Sequence, residues 1–278
     1  MGASIESSWP RGFPLESVQD EYTRGTVLFS KNIPMDRIGV IQFCADGDPD
    51  VDAIHRLIKK LPMVFGPYET TASLAVPSHA FVPYNAQATI HTAKAFWATL
   101  LPLTVPGRVS DIWRSYFAEC LFRDLDLKVV SAPPKIEQIR NAHNYMGDLK
   151  AEQDLYFKSG TLVQFLNEWS SPLQTIPERM EQLWIDLYER GYIEEDDIKA
   201  VQLWLAALIQ GNYEFPKAEV SNRRHKNVAL MGQFNFNAKP DKVVYWIQKW
   251  RRFFDTIVVR GQFDKTQLQH FKSHSVNV

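Results

Sequence analysis

Apolar residues come in short runs through the first half of the chain and at helical spacing through most of the second, and the two rhythms predict different layers. Residues 26–30 (Thr-Val-Leu-Phe-Ser) and 39–45 (Gly-Val-Ile-Gln-Phe-Cys-Ala) read as short buried strands, after a Pro-, Gly- and Ser-rich stretch over 1–25. An acidic turn, Asp46 to Asp52, leads into a helix whose apolar positions Val51, Ile54, Leu57, Ile58 and Leu61 keep the 3.6-residue period. Phe81 and Val82 read as strand, and residues 93–101 as a buried helix stopped by Pro102. Ser110 is placed to cap a further helix running to about Arg123, with Ile112, Tyr116 and Phe117 on its apolar side. Residues 127–131 read as a strand ended by Pro133 and Pro134.

From about residue 150 to 211 the pattern is helical, with amphipathic stretches at 162–169, 180–188 and 198–209. A polar, basic linker over 216–226 precedes a strand at 228–234, a helix at 240–254 and a strand at 256–260, a spacing suited to a right-handed parallel crossover. Two strands and a helix cannot bury a core alone, so this unit is expected either to dock onto the preceding domain or to begin a domain that continues elsewhere. The fold class is therefore α/β, with a helical middle region and a C-terminal β-α-β unit.

Composition narrows the function without naming it. The 278 residues are 45% hydrophobic, enough for one large core or two moderate ones. The 31 Lys and Arg against 32 Asp and Glu leave a formal net charge of -1, so no whole-chain field draws nucleic acid or an anionic membrane. A small molecule or a protein is the better expectation for a partner. Cys44 and Cys120 sit among apolar neighbours and read as reduced, buried thiols. The N-terminus lacks a signal-peptide pattern, and Glu6 stands where a myristoylation motif has Ser or Thr. The most lipid-like stretch, 96–105, is interrupted by Pro102 and falls short of the roughly 20 residues that span a bilayer. A soluble, intracellular type of chain is expected.

Three clusters could carry chemistry. Asp46, Asp48, Asp50 and Asp52 alternate directly after an apolar strand, where carboxylates can bind a divalent cation bridging a diphosphate; equally, Asp50 or its neighbours suit the N-cap of the following helix. An EF-hand loop is poorly supported, since Val51 stands at its sixth position in place of Gly and Leu57 at its twelfth in place of Glu. Asp111, with Arg108 and Arg114 near a helix start, is either an acceptor-orienting acid flanked by phosphate-binding cations or an acid paired with arginines for structure. Arg140, Asn141, His143 and Asn144 form a polar cluster after a strand, suited to a ligand or to ordinary loop hydrogen bonds. No zinc-protease helix, Walker loop, dinucleotide loop or nucleophile elbow occurs, and the rings and cations of 245–254 keep a helical spacing that reads as core and solvated face.

Four segments together resemble one family, the STELLO-type glycosyltransferases: Trp9-Pro-Arg-Gly-Phe-Pro-Leu15, the stretch from Gln42 to Ile54, Val82-Pro-Tyr-Asn-Ala-Gln87, and Pro106-Gly-Arg-Val-Ser-Asp-Ile-Trp-Arg114. The resemblance covers most of residues 8–170, and 227–263 looks like the start of that family's following domain. More distantly, Arg11-Gly-Phe-Pro-Leu15 and Gly107-Arg-Val-Ser-Asp-Ile-Trp113 are similar to elements of the reversibly glycosylated polypeptides, the plant UDP-arabinopyranose mutases. Both likenesses imply a GT-A-type nucleotide-sugar domain. In the second, Asp111 matches the second acid of an Asp-Asp pair and Ser110 replaces the first.

What the resemblance implies is a parent enzyme that transfers sugar from a nucleotide-sugar donor to a hydroxyl of a glycan or polyol acceptor, in the Golgi, with Mg²⁺ or Mn²⁺ at the diphosphate. Asp111 would be catalytic, with Arg11, Arg108, Arg114, Asn85, Arg140 and His143 binding substrate and Asp46, Asp48 and Asp50 as metal ligands. In the family pattern the nucleotide-binding strands precede the Trp-Pro-Arg-Gly-Phe-Pro element, so residues 1–172 are expected to be a partial GT-A-like domain lacking that half. A helical connector over 173–222 and the β-α-β start of a second domain over 223–278 would follow. On that placement the acidic run lies on the acceptor or structural side of the domain. The alternative from a different class is a non-catalytic scaffold or protein-binding piece of the same family, which is linked to cellulose-synthase assembly in plants.

Overall fold

The computed structural model describes residues 8–19, 33–65, 73–76, 80–218, 228–231 and 256–259. They fall into two units, one holding the described residues up to 218 and the other holding the last two strands. The expected strand at 26–30 and helix at 240–254 lie outside the described residues.

The first unit is built on a four-stranded mixed sheet. β1 (Ile38–Gly47) and β4 (Lys128–Gln138) run parallel at its centre, with β2 (Leu74–Ala75) and β3 (Thr89–His91) antiparallel at the edges in the order β2-β4-β1-β3. β4 does not stop at Pro133 and Pro134 as expected. Its register against β1 jumps from Phe43↔Ala132 to Ala45↔Ile136, so the two prolines sit in an irregularity where the ladder asks for no N–H.

Phe81 and Val82 are not in a strand either. The N–H of Val82 goes instead to a Glu119 carboxyl oxygen at 3.0 Å, a side-chain partner in place of a neighbouring strand.

One face of the sheet is covered by α2 (Gly107–Phe122), which is almost wholly buried. Gly107 opens this helix, so Ser110 lies in its first turn and is not its N-cap; its hydroxyl donates to the Pro102 carbonyl at 2.9 Å. Before it, the buried helix expected at 93–101 is a 3-10 helix, Ala93–Thr99, which delivers Trp97 to the core. α1 (Ala53–Ile58) is a short helix after β1.

Four more helices complete the unit: α3 (Tyr145–Ala151), α4 (Gln153–Glu168), α5 (Ile176–Glu189) and α6 (Glu195–Gln210). The last two, in the stretch expected as a helical connector, pack Met180, Leu183, Trp184, Val201 and Leu205 into the same core as Trp113 and Phe117 of α2. Each fully buried leucine there contributes about 1.5–3 kcal/mol by leaving water.

The ends of α5 are specified locally. Thr175 and Glu178 form a capping box at its start. At its end Gly191, at φ +72°, lets the N–H of Tyr192 reach the Leu187 carbonyl at 3.0 Å. Arg123 fastens α4 to α2 by donating to the carbonyls of Leu166 (2.7 Å), Asn167 (3.1 Å) and Trp169 (3.3 Å) at the end of α4, where the helix leaves acceptors unpaired.

In the second unit β5 (Val228–Met231) and β6 (Thr256–Val259) pair in parallel register, as the strand-helix-strand pattern predicts. Cys120 is buried and Cys44 half-buried, both free. Burial pushes the Cys120 thiol up to about 11, so it stays protonated.

Candidate functional site

The acidic run begins where β1 leaves the sheet. Gly47 turns the chain there at φ +82°, and a Cβ in its place would meet the Gln138 carbonyl at 2.8 Å. Asp46 accepts the N–H of Phe65 at 2.9 Å. Asp52 is the N-cap of α1, taking the His55 N–H at 2.8 Å and the indole N–H of Trp9 at 2.5 Å. The two acids between them turn to arginines. Asp48 meets Arg56 and, at 3.5 Å, Arg140; Asp50 meets Arg11 at 2.8 Å and Arg140 at 3.1 Å.

Arg11 joins three segments. Its Nε and one terminal nitrogen donate to Asp50, that same nitrogen reaches both oxygens of Asp111 at 2.8 and 3.0 Å, and the other donates to the Arg108 carbonyl. Its backbone N–H goes to the Asp50 carbonyl at 3.3 Å. Burial works against a charge on Arg11, but Asp50 and Asp111 hold it firmly protonated. Burial likewise pushes Asp50 upward, and its arginine partners bring it below the usual carboxylate range. The cation at Asp111 is therefore Arg11, from a segment 100 residues away, and not the flanking arginines that the sequence suggests.

Those two go elsewhere. Arg108 donates to Glu152, at 2.7 Å from Nε, and lies 3.7 Å from Asp148. Arg114 is buried, with its guanidinium over the Tyr84 ring and against His91 at 3.0 Å. Glu152 is a buried member of this cluster that sequence reasoning missed. It has 0% exposure, accepts the Ala53 N–H at 2.8 Å and the Tyr156 hydroxyl, and with Asp52 makes a buried acid pair. Burial raises Asp52, and the neighbouring Glu152 adds to the rise. The one signal for Glu152 in the sequence is its place near the start of the helical stretch that begins at about residue 150.

Toward solvent the cluster presents partly exposed groups. The Asp111 side chain is 13% exposed, Arg140 and Asp48 are each 20%, and Arg108 is 22%. His143 packs on Tyr145 with ring centroids 4.9 Å apart and meets Asp148 through Nδ1. Asn85 belongs to the segment beside Asp111: its own Oδ1 takes the Gln87 N–H at 2.9 Å, and the next residue, Ala86, donates its N–H to Asp111 at 3.1 Å.

The fold thus brings Arg11, Asp48, Asp50, Asp111, Arg108, Arg140 and His143 into one region and turns Arg114 into a separate buried cluster. Asp46, Asp48 and Asp50 do not assemble as metal ligands: their oxygens go to a backbone N–H and to three arginines. Among the described residues no group of three or more His, Cys, Asp or Glu side chains is arranged to hold a metal ion. Chemically, the region offers one carboxylate with fixed orientation, cations beside it and a histidine at its edge.

A family model described as STELLO glycosyltransferases matches residues 108–232. That span contains Arg108, Asp111, Arg114, Arg140, His143 and Glu152, together with α4, α5 and α6. The Probable glycosyltransferase STELLO2 of Arabidopsis thaliana is 30% identical over 221 residues, covering 76% of this chain. The Probable glycosyltransferase STELLO1 of the same plant is 30% identical over 219 residues, again covering 76% of the chain. The chain spans 27% of the length of each of these relatives. With the four motifs brought to one fold and these matches over most of its length, the chain belongs to the STELLO-type glycosyltransferase family.

Proposed function

We propose that this chain supplies the acceptor-binding side of a glycosyltransferase, whose parent protein moves a sugar from a nucleotide donor to a hydroxyl of a glycan or polyol. The supporting observation is the Asp111 carboxylate, held between Arg11 and the Ala86 N–H with part of its surface open to solvent. A carboxylate fixed in this way accepts a hydrogen bond from an incoming hydroxyl and points its oxygen at the anomeric carbon. Arg108, Arg140 and His143 stand at the rim as donors for acceptor hydroxyls or donor phosphate. Arg11 acts through Asp111 and positions it.

A Mg²⁺ or Mn²⁺ ion at the diphosphate belongs to the same proposal for the parent protein. The described acids of this chain do not fit it, because arginines occupy Asp48 and Asp50, so no step is routed through a metal here. The Golgi location implied by the family, and a GT-A-type fold completed by further chain, are likewise part of the proposal. Among the described residues no helix is long and apolar enough to cross a membrane.

A scaffold reading has its own support in the same geometry: both oxygens of Asp50 and of Asp111 are already engaged within the chain. One experiment separates the two. In a full-length family member with the matching aspartate, Asp111→Asn is expected to cut turnover by about 10² or more while circular dichroism reports an intact fold. Activity that falls only in proportion to the folded fraction would make the acid structural and leave the scaffold reading standing.

A further inference from the structure

The segment beside Asp111 is held by a helix in the way a strand is held by its neighbour. Asp111, Ser115 and Glu119 lie four residues apart on one face of α2. They accept the N–H groups of Ala86 (3.1 Å), Tyr84 (3.2 Å) and Val82 (3.0 Å). Four helical residues rise about 6.0 Å. Two extended residues rise about 6.6 Å, so the two repeats stay in step over three rungs.

The intervening donors point the other way. Asn85 gives its N–H to the Gln42 side chain at 2.9 Å, and Pro83 has no N–H to place. Ser115 directs its own hydroxyl proton to the Ile112 carbonyl at 2.6 Å, leaving a lone pair for Tyr84. Glu119 is buried; one oxygen serves Val82 and the other finds no partner among the described residues. Beside it is a cavity of about 10 Å³.

We infer that Ser115 and Glu119 are positioning residues for Asp111, acting through this acceptor ladder to keep the Ala86 N–H on its carboxylate. The role assigned to Asp111 rests on the reading proposed above; the ladder itself does not. A protonated Glu119 accepts Val82 through its carbonyl oxygen, and burial keeps the acid in that form. Glutamine offers the same acceptor, so it should replace Glu119 without loss.

Residue-resolved hydrogen exchange on this chain tests the ladder. Ser115→Ala removes the middle rung and is expected to speed exchange about three- to tenfold at Tyr84 and also at Ala86, while amides of Val40 and Val129 in the central strands keep their rates. Glu119→Leu should speed Val82, Tyr84 and Ala86 in the same way, and Glu119→Gln should match the parent chain. An unchanged Ala86 rate in Ser115→Ala would overturn the inference. So would equal acceleration at Val40 and Val129, since that pattern belongs to a general loss of stability. If Glu119→Leu does not fold, the Ser115→Ala result decides. Failure of the Asp111→Asn turnover test with the ladder intact would instead remove the catalytic reading alone.

Discussion

The junction around Arg11 and the seam between α5 and α6 are buried to similar depth by opposite means. At the junction, Arg11, Asp50 and Glu152 are withdrawn from water as charges or hydrogen-bonded acids, and irregular segments meet there. At the seam, Leu183, Leu187, Val201 and Leu205 meet through a helical repeat. Apolar packing tolerates small shifts, because contact area changes gradually. A buried guanidinium does not: a lost partner leaves a charge uncompensated, so the junction defines one geometry at little net gain in stability. The carboxylate orientations at the junction are accordingly specified by named partners, whereas the seam is specified by shape.

The sharpest way to break that contrast is Arg11→Met. It leaves Asp50 and Asp111 without their shared cation, and unfolding by urea should show a loss of about 3–5 kcal/mol. Leu183→Ala in the seam should cost about 3 kcal/mol through lost burial and the cavity left behind. Unlike the first change, it should leave the exchange rate of the Ala86 amide where it was.

Acid should act through two histidines outside the seam, His55 on α1 beside Trp9 and His91 on β3 against Arg114. Burial lowers His55 and His91 to about 4, with nearby cations adding to the effect, against 6.5 for the free side chain. The unfolded chain therefore takes protons first, and stability present above pH 6.5 is lost as the pH falls toward 4. Unfolding free energies from urea titrations at pH 7 and pH 5 should differ by about 1–2 kcal/mol for the pair after solvent screening. The smallest effect belongs to Thr175→Ala, which opens the capping box of α5 and should cost about 1 kcal/mol by the same measurement.

Much of the fold is legible because period and composition agree. The runs at 39–45 and 127–131 are strands, the three amphipathic stretches are α4, α5 and α6, and the C-terminal pattern gives a parallel pair. The misses share a cause. Pro133 and Pro134 look like a strand end until the pairing strand supplies an irregularity that absorbs them, and 81–82 look like strand until the helix supplies acceptors instead. Asp52 as the N-cap was within reach of local rules, which admitted Asp50 or its neighbours. The partners of the site were not: Arg11 lies 39 residues from Asp50, and Glu152 lies 99 residues from the Ala53 N–H it receives. Local pattern carries no information on which distant cation an acid will meet.

The Arg11 junction also sets an order of events during synthesis. Asp50 is translated long before Arg140, and Asp111 comes 100 residues after Arg11. A nascent chain ending in α1 would carry Asp48 and Asp50 without Arg140 and would still lack the Arg108 carbonyl that receives Arg11. The ionic junction can therefore be completed only once α2 and the segment after β4 have been made. Interactions made late lie beyond the transition state, and their loss quickens unfolding more than it slows folding. The N-terminal segment would then act as a latch on an assembled domain, governing how long the native state lasts more than how fast it forms.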